Sequence, residues 1–78
     1  MTKKLKPLPP ETIIKALTKI GFQTVRQKGS HLFMEHPDGR TTLILVHKGE
    51  DLGRGMIRKI IKDTKLTREE FLKILERL

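Results

Sequence analysis

The stretch His31-Leu32-Phe33-Met34-Glu35-His36-Pro37-Asp38-Gly39-Arg40-Thr41-Thr42-Leu43-Ile44-Leu45-Val46-His47 decides the fold. Two runs rich in apolar and β-branched side chains flank a Pro-Asp-Gly-Arg connection. Asp-Gly suits the positive φ angles of a type I′ turn, so the spacing predicts antiparallel strands over 31–36 and 41–47. With Asp38 and Gly39 as a two-residue loop, Pro37 faces Arg40, Met34 faces Leu43 and Leu32 faces Leu45. These apolar residues then share the buried face. His31, Phe33, Glu35, Thr42, Ile44 and Val46 fall on the other. A slip of one residue would exchange the two sets, because side chains alternate with a period of two.

Upstream, residues 22–28 read as a third strand, joined to the second through a two-residue Gly29-Ser30 turn. That pairing puts Val25 with the core and sets Arg26 and Lys28 beside His31. Before it, Pro9-Pro10-Glu11 opens a helix, since proline is tolerated in a first turn and a carboxylate there suits the helix dipole. Ile13, Ile14, Ala16, Leu17 and Ile20 form its apolar face, and Gly21 is its stop. Residues 1–8 read as a flexible lead.

Downstream, residues 48–53 form a polar loop, and a second helix is expected over 53–63 with Asp51 as N-cap. Met56, Ile57, Ile60 and Ile61 face inward, leaving Arg54, Arg58, Lys59 and Lys62 outside. Thr67-Arg68-Glu69-Glu70 has the form of a capping box and introduces a short last helix carrying Phe71, Leu72, Leu75 and Leu78. The expectation is one domain over 1–78, an α+β two-layer sandwich ordered α-β-β-β-α-α. A three-stranded antiparallel sheet carries its helices on one face. Double-stranded-RNA-binding domains share that element order.

Composition narrows the function. Of 78 residues none is cysteine, which removes disulfides and thiolate metal ligands, and three histidines alone make a structural metal site a poor expectation. No apolar run reaches the length of a membrane span, and the Lys-rich start lacks the apolar centre of a signal peptide. A cytoplasmic protein that binds no membrane is expected. Net charge is +8, and it is uneven: residues 1–62 carry 13 basic and 5 acidic side chains, residues 63–78 four of each. Polyanion binding, nucleic acid first, is the natural reading, against the plainer one of charge kept for solubility.

His31 is the side chain best suited to chemistry. An imidazole titrates near neutral pH, and neighbouring cations at Arg26 and Lys28 suit proton transfer beside a phosphate. Gly29 lets backbone approach a ligand, and Ser30 offers a hydroxyl. The bland reading of His31 is an ordinary strand-edge histidine. Arg54, Arg58, Lys59 and Lys62 read either as a phosphate-tracking stripe or as a solvated helix face. His36 is expected to be solvated, and His47 to lie across from Ser30, pointing away from His31, in a structural role. Phe22 and Phe71 read as core. Phe33 is expected to be covered as well, although an outward ring could stack on a base.

Gly21-Phe22, Val25-Arg26-Gln27-Lys28-Gly29-Ser30-His31, His36-Pro37-Asp38-Gly39-Arg40, Val46-His47 and Glu70-Phe71-Leu72, taken in order, resemble the HicA toxin family. The resemblance implies a double-stranded-RNA-binding-domain-like fold and a metal-independent endoribonuclease acting on mRNA without a cofactor. It also implies His31 as the catalytic residue and a HicB antitoxin as partner. At the start of the second helix the family usually carries a Gly-Thr-Leu-Arg-type run. Here Gly55-Met56-Ile57-Arg58 stands instead and removes a hydroxyl. The alternative function is a non-catalytic RNA-binding module using the same surface. A DNA-binding accessory domain ranks third, as no helix-turn-helix pattern supports it.

Overall fold

The computed structural model describes residues 5–78. Its elements are α1 (Pro10–Lys19), β1 (Gln23–Lys28), β2 (His31–Glu35), β3 (Thr41–Leu45), α2 (Arg54–Asp63) and α3 (Arg68–Glu76). The three strands form one antiparallel sheet in the order β1-β2-β3. This is the expected α+β order, consistent with a double-stranded-RNA-binding-domain-like fold.

The first helix starts and stops as its residues dictate. Pro10 occupies the first turn with Glu11 beside it. At the other end Phe22 N–H reaches the Leu17 carbonyl at 3.0 Å and Gly21 N–H reaches Thr18 at 3.1 Å, with Gly21 at φ +107°. This is a Schellman ending, and its two flanking apolar residues, Leu17 and Phe22, are both fully buried. The end of α2 repeats the pattern with a lysine where glycine is usual. Lys65 sits at φ +57°, Leu66 N–H bonds the Ile61 carbonyl and Lys65 N–H bonds Lys62. The expected capping box of α3 is present, Thr67 and Glu70 each accepting from the other's backbone N–H. The N-cap of α2 is Gly53, without a side-chain bond. Asp51, expected there, stands two residues too early and is exposed.

The β2–β3 register differs from expectation by one residue. The connection is a three-residue loop: His36 N–H donates to the Arg40 carbonyl at 2.8 Å, and Gly39 N–H to the His36 carbonyl at 2.9 Å. A type I′ turn needs positive φ at both Asp38 and Gly39, yet only Gly39 has it, at +99°. Pro37 explains the choice, since its fixed φ favours the second position of a type I turn, which moves the glycine to the bulge position. Accordingly Met34 pairs with Thr42, Phe33 with Leu43, Leu32 with Ile44 and His31 with Leu45. Leu32, Met34, Thr42 and Ile44 form the buried face, while Leu43 turns outward and Leu45 is half-buried at the core margin. Val46 also packs against the core rather than lying on the outer face.

Val25 is the second correction. The β1–β2 pairing is irregular between Thr24 and Arg26, so Thr24 rather than Val25 pairs with Met34. A bulge of this kind ejects one residue from the ladder, and Val25 is 62% exposed. All six residues of β1 are exposed, so the strand projects beyond the helix layer.

The core joins Ile13, Leu17, Phe22, Ile57, Ile60 and Phe71 to the buried sheet face. Residues 1–4 of the expected flexible lead lie outside the described residues. Its remainder is docked: Leu5 is buried, and Leu8 and Leu52 exchange backbone hydrogen bonds at 3.1 and 2.7 Å. Leu78, expected on the last helix's apolar face, follows the helix and is 45% exposed.

Candidate functional site

Antiparallel pairing builds the site on the sheet face away from the helices. Lys28 pairs with His31 across the Gly29-Ser30 turn, and Arg26 pairs with Phe33. Residues two apart on a strand share a face, so Arg26, Lys28, His31 and Phe33 stand together on one side. Arg26, Lys28 and His31 are exposed. The turn that joins their strands has positive φ at Gly29 alone, +59°, as a type II′ hairpin requires. Ser30 anchors the turn to β3 by accepting from Val46 N–H at 2.7 Å.

Phe33 is covered only in part. It is half-buried, lies outside the hydrophobic core, and carries the Arg26 guanidinium 5.1 Å from its ring centre. Its face is the one that the alternation of β2 implies, opposite buried Leu32 and Met34. A groove along the open face is lined by Val25, Arg26, Phe33, Glu35 and Leu43 and extends to Lys59 of α2.

The cations of α2 are divided. Lys59 faces β3 and pairs with Asp63 at 3.0 Å, and Asp63 in turn accepts from the buried Thr42 hydroxyl at 3.1 Å. Arg54, Arg58 and Lys62 recur every fourth residue and are exposed. They form a separate stripe on that helix and do not line the groove.

The other two histidines are placed differently from expectation. His36 is half-buried, not solvated. Its ring meets Phe22 edge-on at 5.2 Å, Asp38 N–H donates to Nδ1 at 3.1 Å, and Nε2 lies 3.0 Å from the Ile20 carbonyl. His47 is exposed beyond β3, and Val46 rather than His47 bonds Ser30.

Chemically, the open face offers an imidazole accessible to solvent, an ammonium directly across from it, and a guanidinium one pair further along. Among the described residues no carboxylate is paired with the His31 ring, so it is not the orientated base of a Ser-His-Asp type of triad. No group of three His, Asp or Glu side chains among them could hold a metal ion. No helix among the described residues is long and apolar enough to cross a membrane.

Comparison with known families gives a match of residues 10–66 to the model described as HicA toxin of bacterial toxin-antitoxin. The matched span contains the whole sheet, α1 and α2. No curated protein matches the chain.

Proposed function

Because the chain belongs to the HicA toxin family of bacterial toxin–antitoxin systems, we propose that it is the endoribonuclease of such a pair and cuts mRNA through His31. The observation that carries this reading is the Lys28–His31 pair, both side chains exposed on a sheet face that the helices leave open.

RNA brings its own nucleophile. His31 takes the proton of the 2′-hydroxyl, whose oxygen attacks the adjacent phosphorus while the 5′-oxygen of the next nucleotide leaves. The products are a 2′,3′-cyclic phosphate and a 5′-hydroxyl, and no metal or redox partner is required. Lys28 and Arg26 stabilise the charge that builds on the phosphate, with Ser30 and the backbone at Gly29 close to the same oxygens. Arg54, Arg58, Lys59 and Lys62 hold more distant phosphates. A proton returned through water to the leaving oxygen completes the step, and a single imidazole doing both tasks makes the enzyme slow. A HicB-type antitoxin silences it by covering the basic face around His31, in the cytoplasm where both chains meet mRNA.

The test is total RNA incubated with the wild-type chain and with His31→Ala, both in EDTA. Cleavage by the wild type alone supports the reading. Binding by both without cleavage would make the chain an RNA-binding module, and cleavage by both would remove His31 from the reaction.

A further inference from the structure

The open face carries an aromatic ring that proton transfer does not use. Phe33 lies two residues beyond His31 on the same side of β2, about 6.6 Å along the strand. A half-exposed aromatic outside the core is a costly place for a hydrophobic side chain. In this chain of 78 residues with three phenylalanines and no tryptophan or tyrosine, the other two rings are fully buried. Arg26 lies over the ring at 5.1 Å, and Val25, ejected by the bulge, borders the same groove with Leu43. The result is a flat apolar platform edged by cations, next to the imidazole.

We propose that Phe33 is the stacking platform for an unpaired nucleobase adjoining the cleaved phosphodiester, which makes single-stranded RNA the substrate class. The inference rests on RNA being the ligand of this face. The base lies on the ring, and Arg26, a long exposed side chain, moves from the ring to the neighbouring phosphate. Charge favours a nucleic acid strand over an apolar protein segment, since Arg26 lies over the ring and Lys28 stands further along the same face beside His31. Lys59 and Asp63 at the far end of the groove offset each other, and Glu35 is its remaining carboxylate. A base-paired nucleotide cannot present its flat face to the ring, so duplex RNA is excluded from the platform.

The experiment reads binding, separately from cleavage. A 2′-O-methyl adenine hexanucleotide lacks the nucleophile and serves as probe, with all variants made in a His31→Ala background. Phe33→Ala is expected to weaken its binding roughly ten- to hundredfold, the range one base–aromatic stack supplies. Phe33→Trp retains affinity and gives the chain a single tryptophan, whose emission the hexanucleotide quenches and a duplex of the same length does not. Circular dichroism checks the fold, and Phe33→Leu replaces Phe33→Ala if the alanine variant unfolds. Equal affinity without the ring, or unchanged tryptophan emission at saturation, overturns the proposal. So does a Phe33→Ala chain that binds the hexanucleotide normally and loses only its assembly with a HicB-type protein. Probe binding that depends on Phe33, in a protein whose wild type never cleaves RNA, leaves the platform standing and removes the nuclease.

Discussion

His36 Nε2 donates to the Ile20 carbonyl at 3.0 Å, directly above Gly21. The direction follows from the partner, since a carbonyl oxygen only accepts; Nδ1 lies 3.1 Å from Asp38 N–H and 3.0 Å from the Asp38 carboxylate. One imidazole thereby ties the end of α1 to the β2–β3 turn. A Cβ on Gly21 would come within 2.8 Å of that nitrogen, and the residue is at φ +107°. Gly21→Ala should therefore lose roughly 1–3 kcal/mol in urea unfolding. In a His36→Ala background the loss should shrink, leaving mainly the backbone share, and a double-mutant cycle measures the difference.

The register makes opposite demands on neighbouring residues of β3. Ile44 is fully buried, while Leu43 is half-buried on the open face. Ile44→Ala should lose about 2–5 kcal/mol and Leu43→Ala well under half as much. A two-residue loop at Asp38-Gly39 demands the reverse order, so equilibrium unfolding of the pair checks the sheet directly.

Lys65 pays for a left-handed backbone that glycine adopts freely, at φ +57°. Lys65→Gly should stabilise the chain by roughly 0.5–1 kcal/mol, the strain relieved exceeding the extra freedom glycine gives the unfolded state. A raised urea midpoint with unchanged slope is the expected result.

Backbone N–H donation from Thr67, then its side-chain bond, holds the Glu70 carboxyl below its usual value of 4.5. A lowered folded value means that the ionised form favours the fold. The contribution is complete above 4.5 and declines as pH falls through the lower folded value. Glu70→Gln keeps an acceptor for Thr67 N–H without that titration. Its stability should fall less steeply than the wild type's below pH 4.5, as acid unfolding monitored by circular dichroism would show.

Much of this architecture is legible in the residues. Pro10, Gly21 and the Thr67–Glu70 box mark helix ends by local chemistry, and local chemistry does not wait for tertiary contacts. The Gly29-Ser30 turn is equally local, and with it the placement of Lys28 across from His31. Where the reading failed, two local signals competed. Asp-Gly argued for a two-residue loop, but Pro37 one position earlier settled a three-residue one, and both faces of β3 were apolar enough to accept either register. The Val25 bulge leaves no mark, because a valine in a strand suits a core and a bulge site alike. His36 escaped for a different reason: its partner, Ile20, is 16 residues away, and a carbonyl has no signature in sequence. The roles of His31, Arg26 and Lys28 rest on their chemistry and on the family, and RNA cleavage tests them.

Among the described residues β1 has a neighbour on one side only, no cover on either surface, and an interruption midway. Its amides should therefore exchange with deuterium far sooner than those of β3, which lies against the helices. Arg26 and Lys28 ride on this loosely held ribbon, whereas His31 is on the central strand. A bound polyanion would clamp the ribbon down, so ligand occupancy should be readable as slowed exchange at residues 23–28, even in a chain unable to cut.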